Sequence, residues 1–145
     1  MSAIDAYLEA APVPLGLPAS EVEKRLGKAN KVLEKDGHPT GFEYKGLWIA
    51  IEDGEVSSLS FLTGAEEHGN ERYEGTLPGG LKTTDAPSRI AELYGKPDRV
   101  QEIALSGAKL ALSFYHLTAP ATVTFAQRSQ FPNKIDRIVL SRRPA

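Results

Sequence analysis

One ten-residue pattern occurs twice in the chain, and it constrains the fold more than any other feature. Ser20-Glu21-Val22-Glu23-Lys24-Arg25-Leu26-Gly27-Lys28-Ala29 is echoed 68 residues later by Ser88-Arg89-Ile90-Ala91-Glu92-Leu93-Tyr94-Gly95-Lys96-Pro97. Ser20 lines up with Ser88, Val22 with Ile90, Gly27 with Gly95 and Lys28 with Lys96. Each copy spaces its apolar residues as one face of a short helix. Each then reaches a glycine, the residue that tolerates the left-handed conformation just past a helix end. Ser20 with Glu23 has the form of a capping box, and Thr84 or Asp85 is placed to cap the second helix with Pro87 in its first turn. Repetition at a fixed spacing predicts two copies of one supersecondary unit.

After each helical segment the period changes to alternation. Phe42-Glu43-Tyr44, Lys45-Gly46 and Leu47 to Ile51 read as a hairpin, and Asp53-Gly54 reads as the turn into the next strand. The second half gives strands at Gln101–Leu105, Lys109–Tyr115, Ala121–Phe125 and Ile135–Leu140, punctuated by Gly107, Pro120 and Pro132-Asn133. The ends of the halves match as well: Val56–Phe61 corresponds to Ile135–Leu140, now 79 residues apart. The second half therefore carries 11 extra residues, expected between Leu117 and Asn133. The predicted fold class is α+β, with two tandem diverged repeats, each a short helix packed on an antiparallel β-meander. The repeats are expected over residues 1–75 and 76–145, with a helix and three strands in the first and a helix and four strands in the second.

Composition narrows the functional classes. There is no cysteine in the 145 residues, so disulfides, thiolate catalysis and zinc–cysteine sites are excluded. The 17 basic and 19 acidic residues give a net charge of −2, too balanced for the basic face that nucleic-acid binding needs. The first residues, Met1-Ser2-Ala3-Ile4-Asp5, have neither a basic nor an apolar leader region. The longest apolar runs, such as Leu47-Trp48-Ile49-Ala50-Ile51, are far too short for a membrane helix. A cytoplasmic location, with no membrane partner, is the expectation.

No catalytic constellation is legible. His38, His68 and His116 lack the spacing of a helical metal pair. His68 beside Glu66, Glu67 and Glu71 offers no closed ligand set. No G-x-S-x-G elbow occurs, and Gly79-Gly80 after Leu77-Pro78 is not followed by Gly-Lys-Ser/Thr. Gly27-Lys28 and Gly95-Lys96 end helices, so the helix dipole points the wrong way for a phosphate. Glu43, Glu52, Asp53 and Glu55 show no paired-carboxylate arrangement in a cleft. The expectation is no enzyme, no cofactor and no metal.

Strand alternation instead predicts two faces. One would hold Leu47, Ile49, Ile51, Leu59, Phe61, Leu110, Leu112, Phe114, Val123, Phe125, Ile138 and Leu140, covered by the helices. The other would hold Trp48, Ala50, Ser58 and Ser60 from the first half, with Lys109, Ser113, Tyr115, Thr122, Thr124 and Arg137 from the second. Aromatic residues and arginine set among small hydroxyl residues are what protein interfaces favour. Trp48, Ser58, Ser60, Lys109, Ser113, Tyr115 and Arg137 are therefore the candidate partner-binding residues. The acidic connector residues Glu66, Glu67 and Glu71 join them as candidate rim charges.

Two stretches also carry a family resemblance. One is the glycine-closed helix followed by Gly41-Phe42-Glu43-Tyr44-Lys45-Gly46-Leu47-Trp48-Ile49. The other is Tyr73-Glu74-Gly75-Thr76-Leu77-Pro78-Gly79-Gly80-Leu81. Together they resemble bacterial immunity-type proteins linked to secreted polymorphic toxins. The helix-then-sheet unit is similar to the repeat of the β-lactamase inhibitory protein and to the small lipoprotein of outer-membrane assembly. The chain departs from both by lacking cysteine and an evident export signal. The resemblance implies a cytoplasmic immunity protein that blocks a cognate toxin by covering it, and it carries over no toxin-contacting residue. The rivals are a scaffold that dimerises through the open face, and an enzyme or small-ligand binder with its site between the halves.

Overall fold

The computed structural model describes residues 3–64, 72–75, 77–105, 107–129 and 134–142. A 3-10 turn at Ala3–Asp5 leads into α1 (Ala6–Ala10), followed by α2 (Ala19–Leu26). Four strands come next: β1 (Lys31–Lys35), β2 (His38–Tyr44), β3 (Leu47–Glu52) and β4 (Glu55–Leu62). A further 3-10 turn, Pro78–Gly80, precedes α3 (Ser88–Tyr94), then β5 (Arg99–Leu105), β6 (Ala108–His116), β7 (Ala121–Arg128) and β8 (Arg137–Arg142). All eight strands form one antiparallel sheet in the order β1-β2-β3-β4-β8-β7-β6-β5. The fold is α+β, with a wide open sheet and a few short helices.

The strands form where tight turns and alternation coincide. Tyr44 and Leu47 bracket a two-residue turn, and Asp53-Gly54, both at positive φ, make the next. Asp36-Gly37, also at positive φ, turns β1 into β2. This adds a fourth strand to the three expected in the first half. Hydrophobic alternation does not reveal this strand, because every residue of β1 is exposed and Lys31–Lys35 has no buried face. In the second half, β8 begins at Arg137 and not at Ile135.

The two glycine-closed helices form as expected. Gly27 (φ 84°) donates its N–H to the Glu23 carbonyl, and Gly95 (φ 80°) donates to the Ala91 carbonyl. The expected N-terminal caps do not form. Pro18 occupies the cap position of α2, and the Glu23 carboxylate turns away to accept the Ala29 N–H at 2.8 Å. Pro87 precedes α3, while Asp85 accepts the Lys82 N–H within its own turn. Proline at these positions has no side-chain oxygen to accept the free N–H groups of the first turn, so neither helix has a side-chain cap there.

All three helices lie on one face of the sheet. A single hydrophobic cluster fills the space between, including Val22 of α2, Ile90 of α3 and the strand residues Ile49, Leu59, Phe61, Val123, Phe125, Ile138 and Leu140. Tyr7 of α1 sits at the junction, 1% exposed, with ring contacts to Phe61 on β4, Phe125 on β7 and Tyr94 on α3. Its hydroxyl pairs with that of Tyr94 at 3.1 Å, and Tyr94 donates to the Pro78 carbonyl. Asp5, buried just before α1, accepts both the backbone N–H and the hydroxyl of Thr118 in the β6–β7 turn. The N-terminal helix is thereby fastened to both halves of the sheet.

Candidate binding face

The sheet face opposite the helices has no helix packed on it among the described residues. Cross-strand partners share a face, so the register orders its side chains. The central row runs Lys31, Glu43, Trp48, Ser60, Val139, Thr124, Phe114 and Arg99. A neighbouring row runs Leu62, Arg137, Ala126, Leu112 and Gln101, and Leu62 at its end is fully buried.

Trp48, Ser58, Ser60 and Arg137 are brought together here, as expected. The Arg137 guanidinium lies over the Trp48 ring, 5.0 Å from its centroid. Ser60 lies opposite Trp48 on β4, one same-face step from Leu62, the register partner of Arg137, and its small side chain leaves the ring room to reach across β4. A shallow depression of about 230 Å³ beside them is lined by Leu33, Gly41, Trp48, Ala50, Ser60 and Arg137. Burial lowers the basicity of Arg137, against the opposing influence of Asp136, and an arginine remains charged under both. Half-buried Trp48 is thus a rigid aromatic plate with a cation on it, joining the sheet face without belonging to the core cluster.

The second half of the face differs from expectation. Tyr115 is 3% exposed and lies on the helix side, against Tyr94 and Phe125, with its hydroxyl donating to the Gly95 carbonyl at 2.7 Å. Ser113 lies beneath α3, lining a small space with Pro87 and Ile90. Lys109 alternates onto the same side, exposed at the strand end. These three residues leave the candidate set. Leu110, Leu112 and Phe114, expected in the core, take their place on the open face, each only partly buried. The phase of β6 is inverted, and one residue of phase moves every side chain to the other face.

Residue type alone favoured the wrong phase, since Leu110, Leu112 and Phe114 are the more apolar set. The turn at Leu117–Pro120 held the correcting signal. It sets Tyr115 opposite Val123 and Ser113 opposite Phe125, both core residues. Sequence reasoning also missed Arg99, whose guanidinium lies 5.2 Å from the Phe114 centroid. The open face therefore carries two arginine–aromatic pairs, one joining β3 of the first half to β8 of the second and one within the second half, with Val139, Thr124 and Ala126 between. Glu66, Glu67 and Glu71 fall outside the described residues.

Other chemistry is sparse. His116 contacts the Thr122 hydroxyl at 3.2 Å, and its backbone N–H donates to Asp98. No group of three or more His, Cys, Asp or Glu side chains able to hold a metal occurs among the described residues. No helix among them is long and apolar enough to cross a membrane. No protein-family model, curated protein or solved structure matches the chain.

Proposed function

We propose that this chain is a binding protein that neutralises a protein partner by covering it, in the manner of an immunity-type inhibitor of a bacterial toxin. The observation that carries this reading is the uncovered sheet face with Trp48 under Arg137 and Phe114 under Arg99. Tryptophan and arginine are the commonest interface anchors, and both rings are held in place by neighbouring guanidinium groups before any partner arrives. The contact set is Trp48, Ser58, Ser60, Arg137, Arg99, Leu110, Leu112 and Phe114. The acidic residues Glu66, Glu67 and Glu71 act as rim charges in the same proposal.

We further read the two halves as diverged copies of one unit of a helix and four strands. Three pairs of bonds support this. Gly27 and Gly95 close their helices alike; the Asn30 and Asp98 N–H groups donate to Glu43 and Phe114; Tyr44 and Tyr115 donate to the two glycine carbonyls. The halves meet along β4 and β8, where Ser60 lies opposite Val139. Those two residues also correspond in the 79-residue match of the strand sequences.

The test starts with the protein captured by this chain from its native cell, purified and assayed for toxicity. Stoichiometric loss of that toxicity on adding this chain is expected. A Trp48→Ala, Leu112→Asp double variant with an unchanged melting temperature should lose at least about thirtyfold in affinity. A double variant that folds normally and still neutralises the partner at equal concentration sinks the open-face reading.

A further inference from the structure

The two outer edges of the sheet are built differently. At one edge, β1 has five residues, three of them charged, and its pairing with β2 is broken by a bulge between Leu33 and Glu34. Short length, lysines and bulges are the devices by which proteins keep edge strands from pairing with other chains. At the other edge, β5 has seven residues in unbroken register with β6, from Arg99 opposite Phe114 to Leu105 opposite Ala108. It has no proline, no lysine and no bulge, and Val100 on it is 59% exposed.

The backbone of β5 is also correctly presented. The Asp98 N–H donates to the Phe114 carbonyl at 2.9 Å, so Phe114 and its partner Arg99 turn their backbone groups towards each other. Bonded pairs alternate along an antiparallel ladder. Arg99, Gln101 and Ile103 therefore turn their N–H and C=O groups inwards to β6. The bond from the Ser129 N–H to the Lys109 carbonyl agrees, because it assigns the odd-numbered residues of β6 to β7. Val100, Glu102 and Ala104 turn their backbone groups outwards, with no partner among the described residues.

We propose that β5 is a homodimerisation edge, pairing antiparallel with β5 of a second copy of this chain. The charges narrow the register, and we take the one centred on Gln101. A two-fold axis normal to the sheet keeps each residue on its own face, so only residues of one face can lie opposite each other. Centring on Val100 sets Asp98 opposite Glu102 of the second copy, and centring on Glu102 sets that carboxylate opposite its own copy. Like charges directly opposite are destabilising. Centring on Gln101 sets Val100 opposite Glu102 twice, Arg99 opposite Ile103 twice, and Gln101 opposite Gln101, with no like charges facing. This register also uses the outward groups of Val100 and Glu102, giving four backbone hydrogen bonds. The protected β1 edges then lie at both ends of the joined sheet, so assembly closes at two copies. A single strand pair lies at the small end of specific interfaces, so the dissociation constant should be on the order of 10 μM or weaker.

The proposal is independent of the open-face reading, because no residue tested below lies on that face. Sedimentation of the full chain from about micromolar to millimolar should show a monomer–dimer equilibrium with nothing larger. Val100→Lys places a cation opposite Glu102 twice and should tighten the dimer by about threefold or more at low salt. Val100→Glu should weaken it by a similar factor. Val32→Lys, the same charge change on the β1 edge, should leave the equilibrium unmoved. Glu102→Pro removes an outward N–H that β6 does not use and should leave only monomer, with an unchanged circular dichroism spectrum. A wild-type chain monomeric at the highest concentration, an assembly growing beyond two, or Val100→Lys and Val100→Glu acting in the same direction would each overturn the proposal. The two charge variants decide the question even if the proline variant does not fold.

Discussion

Tyr44 and Tyr115 make the same hydrogen bond in the two halves of the sheet, in different surroundings. Each donates its hydroxyl at 2.7 Å to the carbonyl of the glycine that ends a helix. Tyr44 does so at the rim of the sheet, half-exposed, near the outer β1 edge. Tyr115 does so inside an aromatic layer made by Tyr94, Phe125 and Tyr7. The local device ties each helix to the second strand after it. What the device contributes to stability is set by how much else packs on the ring. The second half has put its tyrosine into the core and left leucines and Phe114 on the open face. The first half has left its tyrosine near solvent and put Trp48 on the open face.

The comparison breaks most visibly under truncation. Tyr115→Ala should cost about 3–5 kcal/mol in urea unfolding, as a large buried ring leaves a cavity. Tyr44→Ala should cost about 1–2 kcal/mol, since water already reaches part of that ring. Equal losses at both sites would mean the two environments are energetically alike.

Removing only the hydroxyl sharpens the contrast. Tyr115→Phe leaves the Gly95 carbonyl without its donor in a buried setting and should cost about 1–2 kcal/mol. Tyr44→Phe should cost less, because water can replace the donor at the rim. Chemical denaturation of both variants measures the difference.

Alkaline titration reads the same difference without mutation. All five tyrosines are raised above the ordinary phenol value of 10.0, with burial as the first cause in each, and Tyr7 is raised furthest. The folded chain holds these protons where the unfolded chain has released them. The associated stability is therefore fully present below about pH 10 and is lost as pH rises through the folded values. Phenolate absorbance should show Tyr44 ionising before the core tyrosines, with their ionisation accompanying unfolding. Five independent titrations near the ordinary value, with the fold intact, would contradict the burial shown here.

The smallest expected effect concerns the two arginine–aromatic pairs. A double-mutant cycle on Trp48 and Arg137 should give a coupling of about 1 kcal/mol, since the guanidinium is partly desolvated. The Phe114 and Arg99 cycle should give about 0.5 kcal/mol, because Arg99 is exposed at the sheet edge. The reverse order would indicate that exposure does not govern these contacts.

Much of the fold was legible in the sequence because its signals are local. The glycines at 27 and 95 end helices because the left-handed position just past a helix end suits glycine. Asp53-Gly54 and Lys45-Gly46 make two-residue turns for the same conformational reason. The core side of β3, β4 and β7 followed from alternation, because each strand buries its more apolar set. That set includes Leu47, Ile49, Leu59, Phe61, Val123 and Phe125. On the open face, Trp48, Ser58, Ser60 and Arg137 were placed by the same rule.

Alternation failed where the two faces of a strand compete. In β6 the apolar residues Leu110, Leu112 and Phe114 lost the core to Ala111, Ser113 and Tyr115. The space under α3 beside Ser113 is small, and next to it Tyr115 fills the core with a glycine carbonyl to bond. Strand β1 leaves no apolar signature because an edge strand can form through backbone bonds alone, with none of its five side chains buried. The sequence by itself therefore determined where helices stop, where hairpins turn and which residues pair in a strand's own period. Only the tertiary structure decided which face of β6 is inside, how β4 and β8 join two meanders into one sheet, and which edge is left open. Turn conformation depends on a few neighbouring dihedrals, whereas face and edge depend on the volume and hydrogen-bonding groups of segments far away in the chain.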